Sequence, residues 1–119
     1  VNLSNIHRQS LYKEKDLKNS KVKVAEKRLK EINSKTKINI FNFRLNEKKL
    51  EKIIKNYDYI IDGTDNFKSK FLINDLSRKH KKILVTGAIS KFDGHIFSFN
   101  FKSKKKNLFK RFLSRTSYY

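Results

Sequence analysis

The sequence predicts an α/β domain with a parallel sheet and a closing antiparallel hairpin, and three observations carry that expectation. Helical and strand patterns alternate along the first 86 residues. Two short apolar runs, residues 57–61 and 82–86, each lead into a glycine (Gly63 and Gly87), as buried parallel strands do before a turn. Beyond them Phe97, Phe99 and Phe101 alternate strictly, the period of a strand with two unlike faces.

Each element has its own signal. Residues 1–12 are short and mixed, with Ser4, Asn5, His7 and Arg8 able to hold an anion. Over residues 21–33, Val22, Ala25, Leu29 and Ile32 fall at spacings of three and four, a helical stripe with Ser20 as N-cap and Asn33-Ser34 as stop. Residues 36–43, rich in Ile and Phe, read as a strand. Asn46 caps a second helix carrying Leu50, Ile53 and Ile54. After the strand at 57–61, Asn66 opens a third helix with Phe67, Phe71, Leu72 and Leu76 on one side. The strand at 82–86 is followed by a hairpin in which residues 88–91 and 95–101 flank Phe92, Asp93 and Gly94, with an Asp-Gly turn. Residues 102–106 form a basic loop, 107–113 a short amphipathic turn, and 114–119 a tail without clear structure.

Composition narrows the function classes. The 119 residues suffice for one core. With no Cys there is neither a disulfide framework nor a thiolate zinc site. The longest aliphatic runs, such as Ile83-Leu84-Val85, fall far short of the roughly 20 residues that span a bilayer. No charged n-region followed by an apolar h-region opens the chain, so a soluble, cytoplasmic protein is expected, or a stromal one if the gene belongs to an organelle. The net charge of +19 invites a nucleic-acid reading. Yet 24 of the 30 basic residues are Lys, and Lys, Asn and Ile together fill 48 positions, the bias of A/T-rich codons. Specific base contacts lean on Arg forks, so a nucleic-acid-binding module is the disfavoured alternative.

A nucleotide needs cations and backbone amides for its phosphates, and a carboxylate for the metal between them. In open parallel sheets such groups gather at the carboxyl ends of strands. Asp62-Gly63-Thr64-Asp65-Asn66 stands at that place, although Asp and Asn there serve equally often as caps. Asp62 is read as such a cap, and His7, His80 and His95 are assigned to no metal.

Three segments in order sharpen the reading. Ser4-Asn5-Ile6-His7-Arg8-Gln9 is followed by Lys21, then by Asp62-Gly63-Thr64-Asp65-Asn66, then by Gly87-Ala88-Ile89 running on to Phe92-Asp93-Gly94. This resembles the ThiF/MoeB/HesA family of ubiquitin-activating-enzyme-like adenylyltransferases from residue 1 to about residue 101. The resemblance implies a Rossmann-like, mostly parallel sheet with helices on both faces and a C-terminal antiparallel hairpin. It divides the chain into a nucleotide-binding domain at 1–101 and a basic loop and tail at 102–119. The implied activity is ATP- and magnesium-dependent adenylation of the C-terminal carboxylate of a ubiquitin-like sulfur-carrier protein, of the molybdopterin-synthase or thiamine-thiazole type. By the same resemblance Asn5 and Arg8 hold phosphates, Lys21 neutralises charge near the α-phosphate, and Asp65 binds magnesium with Asn66 beside it. Ser4 contributes at the nucleotide edge.

The resemblance also carries expectations about what is missing. The family's Gly-rich loop and its ribose-holding acidic strand end would precede Val1, and no Met occurs in the chain, so a partial domain is expected. A truncated, inactive remnant is the alternative function. Members with structural zinc carry C-x-x-C pairs where Leu108 and Arg111 stand, so no zinc is expected. A homodimer completing each site across a two-fold axis is implied for the whole protein. An exposed aromatic face of Phe97, Phe99 and Phe101 is expected to promote self-association.

Overall fold

The computed structural model describes residues 1–90 and 93–103; the amphipathic turn and tail expected beyond residue 103 lie outside them. The chain falls into two compact units, Val1–Arg44 and Leu45–Tyr119. Among the described residues no helix is long and apolar enough to cross a membrane.

The first unit opens with the short helix α1 (Leu3–Ile6) and passes through a 3-10 turn (Glu14–Asp16) to α2 (Lys21–Ile32). α2 forms where its stripe of apolar residues places it, between Ser20 and Asn33. Lys30 pairs with Glu26 at 2.8 Å and Arg28 with Glu31 at 3.0 Å, contacts of the kind worth about 0.3–0.5 kcal/mol each on a helix surface. The strand expected at 36–43 does not form. The chain there is irregular and pairs with no described strand. A run of Ile and Phe becomes a strand only with a neighbour.

The second unit is a layer of helices on a three-stranded mixed sheet. Asn46 caps α3 (Glu47–Ile54) by accepting from the Lys49 amide, and Asn66 caps α4 (Phe67–Lys79) by accepting from the Ser69 amide. The sheet has the order β1-β2-β3, with β1 (Tyr59–Asp62), β2 (Ile83–Ser90) and β3 (Asp93–Asn100). β1 runs parallel to β2, with Tyr59 opposite Ile83 and Asp62 opposite Thr86, while β2 and β3 form the antiparallel hairpin. That hairpin is longer than its sequence suggests. β2 continues through Gly87, and Asp93 and Gly94 are paired strand residues opposite Ser90 and Ile89 rather than the turn. Neither glycine has a positive φ, so the ladder simply runs on through both; residues 91–92 lie outside the described region.

Leu50 and Ile54 from α3, Ile73 and Leu76 from α4, Leu84 from β2 and Phe101 form the core, with Ile60, Leu72 and Phe99 against it. Burial of aliphatic side chains of this size contributes about 1.5–3 kcal/mol each. Both helices therefore cover the same face of the sheet. The opposite face presents Tyr59, Ile61, Ile89 and Ile96, all exposed. The expected exposed face of phenylalanines is thus corrected. Phe97 and Phe99 are half-buried and Phe101 buried, because the register puts Phe97 opposite Thr86 on the helix-covered side. Their rings, with that of His95, stack along β3 at centroid spacings of 5.9–6.3 Å.

The unit carries two charged clusters, one buried and one at the surface. At the end of β1, Asp62 and Lys70 are both buried, at 3% and 5% exposure. Lys70 Nζ donates to Asp62 Oδ2 at 3.2 Å and to the Gly87 carbonyl at 2.6 Å. Thr86 Oγ donates to the same Oδ2 at 2.7 Å, while the amide and hydroxyl of Thr64 donate to Oδ1 at 2.8 and 2.7 Å. Burial alone would raise the Asp62 pKa; the donors from Thr64, Thr86 and Lys70 outweigh it and hold the carboxyl below its ordinary value. At the other end of α4, Glu51 Oε1 accepts from Lys79 Nζ and His80 Nε2, both at 2.8 Å. The Lys79 and then the His80 hydrogen bond bring the Glu51 carboxyl from 4.5 down to about 2.

Lys70→Met leaves a buried carboxylate unpaired and is expected to lower stability by about 3–5 kcal/mol. Thr86→Val removes one neutral donor and is expected to cost about 1–3 kcal/mol, both read from urea unfolding. The Glu51 contribution has a defined pH window. A depressed pKa in the folded state stabilises fully above the ordinary carboxylate value and is lost as pH falls from 4.5 toward about 2. Glu51→Gln should therefore be less stable than the parent at pH 6, with the difference vanishing near pH 2. A difference that persists unchanged into strong acid refutes the ion-pair account.

Candidate functional site

In the first unit the motif residues gather within one short stretch of chain. Ser4 and Asn5 lie on α1, and the Asn5 carbonyl accepts from the amides of Arg8 and Gln9, turning the chain back after the helix. That turn lets Arg8 Nη1 donate to the Ser4 carbonyl at 2.8 Å. Arg8 is exposed and has no carboxylate partner among the described residues, so most of its guanidinium fork remains directed to solvent. Lys21 is the first residue of α2 and half-buried. Its Nζ donates to Gln9 Oε1 at 3.1 Å and sits 5.9 Å from the centroid of the Tyr12 ring.

Lys21 is placed against the grain of helix electrostatics. The amino end of a helix carries partial positive charge and favours carboxylates, yet the first turn of α2 contains no acidic residue. A cation there adds to the exposed amides instead of cancelling them. The amide oxygen of Gln9 and the face of Tyr12 steer the ammonium without neutralising it. Among the described residues Arg8 and Lys21 thus have no carboxylate to neutralise them, and Gln9, the neighbour of Arg8, links the two.

In the second unit the loop between β1 and α4 carries the remaining motif residues. Asp62 is saturated by its four donors and has no lone pair turned toward a ligand. Its Oδ1 closes the turn after β1 through the Thr64 amide, while the cap of α4 itself is Asn66. Gly63 has open space where a Cβ would stand and no positive φ, so neither packing nor backbone conformation demands a glycine there. Asp65 is exposed, and its Oδ1 accepts only a 3.3 Å contact from Asn66 Nδ2. The other end of the Asn66 amide caps α4 through Ser69. Asn66 is therefore oriented on both sides and in turn steadies Asp65.

Among the described residues no group of three His, Cys, Asp or Glu side chains could hold a metal ion. A lone carboxylate still suits magnesium, which is commonly held by one or two carboxylates together with substrate phosphates and waters. Asp65, open to solvent at a strand's carboxyl end, meets that requirement. Sequence reasoning missed Gln9 and Tyr12 as the groups that aim Lys21, and Lys70 and Thr86 as those that quench Asp62. The one signal for Lys70 was its place eight residues after Asp62, one turn into the helix that follows the strand.

The sequence profile of the ThiF family matches residues 1–117. A probable molybdopterin-synthase adenylyltransferase from Gracilaria tenuistipitata var. liui is 42% identical over 103 residues, covering 87% of this chain and 29% of that protein. A sulfur carrier protein adenylyltransferase from Thermus thermophilus is 38% identical over 100 residues, covering 84% of this chain and 37% of that protein. The chain thus spans about a third of the length of these relatives. A crystal structure of selenomethionine PaaA superposes with a TM-score of 0.76 at 17% identity, over 100% of this chain and 42% of that one, a likeness of fold. On the match over nearly its whole length, the chain belongs to the ThiF family.

Proposed function

We propose that this chain is part of the nucleotide-binding domain of an ATP-dependent adenylyltransferase that activates the C-terminal carboxylate of a ubiquitin-like sulfur-carrier protein. The observation that carries this reading is the separation of charge in the motif residues. Among the described residues Arg8 and Lys21 are cations without carboxylate partners, and of the two carboxylates in the loop after β1 Asp62 is quenched and Asp65 exposed. The adenylyltransferases to which the chain is similar support the chemistry.

The reaction joins two anions. A carboxylate oxygen of the carrier attacks the α-phosphorus of ATP, the bond from that phosphorus to the bridging oxygen of the β-phosphate breaks, and pyrophosphate leaves. Attack and departure both concentrate negative charge on phosphate oxygens, so the chain's task is to hold fixed cations where that charge grows. Arg8 suits a phosphate because its planar fork meets two oxygens at once. Lys21, a compact ammonium aimed by Gln9 and Tyr12, suits the α-phosphate. Asn5 and Ser4 supply polar groups beside Arg8. Magnesium held at Asp65, with Asn66 beside it, would shield the phosphate charges from the incoming carboxylate. No side chain is required as a nucleophile; positioning and electrostatics carry the step.

With the segment that carries the family's Gly-rich loop supplied, the protein should exchange label between pyrophosphate and ATP only when a Gly-Gly-ending carrier is present. Arg8→Ala or Lys21→Ala is expected to slow exchange by roughly 100-fold or more, the scale seen when one preorganised donor is lost. Carrier-independent exchange, or a loss under threefold in both variants, would remove the proposal. Absence of exchange with every carrier, in a protein that folds, favours instead a non-catalytic member that keeps the family fold.

A further inference from the structure

The loop between β1 and α4 carries two carboxylates three residues apart, and the structure treats them oppositely. Asp65 is exposed, whereas Asp62 is sealed from water and bound by four donors. The two oxygens of Asp62 have separate duties. Oδ1 holds the loop, through the amide and hydroxyl of Thr64. Oδ2 holds the scaffold, through Lys70 on α4 and Thr86 on β2. Lys70 is the only charged donor of the four, and its second bond, to the Gly87 carbonyl, fixes the ammonium to β2.

We infer that Lys70 is a positioning residue that sets the Asp65 carboxylate for a divalent cation bridging phosphates, an inference that rests on the reading of Asp65 given above. The physical chain is short. Without the ammonium, the Asp62 charge has no counterion in a site closed to water, and it escapes by protonating or by swinging toward solvent. Either change releases or rotates Oδ1, and Thr64 moves with it. Asp65 is the next residue. Lys70 has a second effect on the same ligand: it cancels a negative charge three residues from where an anionic triphosphate approaches. Groups that orient a metal-binding carboxylate in this way typically change metal affinity by roughly 10- to 100-fold when removed.

The test is Mn2+ binding in the presence of ATP, followed by electron paramagnetic resonance, together with amide hydrogen exchange at Thr64 in the absence of metal. Lys70→Met is expected to weaken Mn2+ binding roughly tenfold or more, and to speed exchange at Thr64. Adding Asp62→Asn to that variant removes the stranded charge and is expected to recover a large part of the affinity. Leu76→Ala, a core change that destabilises α4 without touching the loop, is the control and should alter neither readout. If Lys70→Met does not fold, Thr86→Val, which removes a neutral donor from the same oxygen, should give a smaller loss in the same direction. Asp65→Asn separates the two claims. If it leaves Mn2+ binding unchanged, the reading of Asp65 fails and this inference with it. If it abolishes binding while Lys70→Met or Thr86→Val binds as the parent does, or while Leu76→Ala weakens binding equally, the inference alone is overturned.

Discussion

A carboxylate closed off from water at the end of β1 sets the geometry around it. An isolated buried charge costs several kcal/mol, and the protein meets that cost with donors from three places: Thr64 in the loop, Lys70 on α4 and Thr86 on β2. Each donor limits what its own element can do. β2 cannot slip by one residue against β1, because the slip would turn Thr86 to the open face and set the apolar side chain of Val85 or Gly87's bare backbone beside the charge. α4 cannot slide along the sheet without drawing the ammonium away from both Asp62 and the Gly87 carbonyl. The core of Ile54, Leu76 and Leu84 supplies the larger share of burial, but apolar contacts tolerate small shifts that a hydrogen-bonded ion pair does not.

Among thirty basic residues, charge alone distinguishes nothing. Some of them are spent on carboxylates and others, Arg8 and Lys21 among them, have no carboxylate partner among the described residues. Arg28 and Lys30 are spent on carboxylates of their own helix, and Lys79 on Glu51. Lys70 is spent on Asp62. Arg8 is braced by a backbone carbonyl and Lys21 by an amide and an aromatic ring, partners that orient a cation while leaving its charge available. The same sorting holds for the loop carboxylates, one quenched and one open.

Much of this was legible in the sequence, and the failures have physical causes. The caps Asn46 and Asn66, the stripe of α2, and the parallel pair at residues 59–62 and 83–86 depend on neighbours within a few residues, or on apolar runs that only burial explains. What failed depends on partners far along the chain. Residues 36–43 have strand-forming side chains but pair with no strand among the described residues. Asp93-Gly94 has the composition of a hairpin turn, yet the ladder from Ile83 to Asn100 absorbs both residues. The Phe alternation was read correctly as a strand, but a period of two does not say which face meets the helices. Lys70 was invisible because a lysine on a basic, amphipathic helix reads as solvated until the fold places a buried carboxylate against it.

The Asp62 cluster also bears on how the second unit comes to be formed. Asp62 precedes both of its distant partners, with Lys70 eight residues on and Thr86 twenty-four. During folding the carboxylate must stay hydrated until α4 has docked and β2 has found its register. Any intermediate that closes the core before both arrive strands a charge in a dry pocket and is raised in energy by that charge. Partly assembled forms of β1, α4 and β2 are disfavoured together, so the three elements form and come apart as one cooperative block. Because its closing contact joins residues 24 positions apart, forming that block requires a loop closure and a strand alignment that the winding of α4 on its own does not.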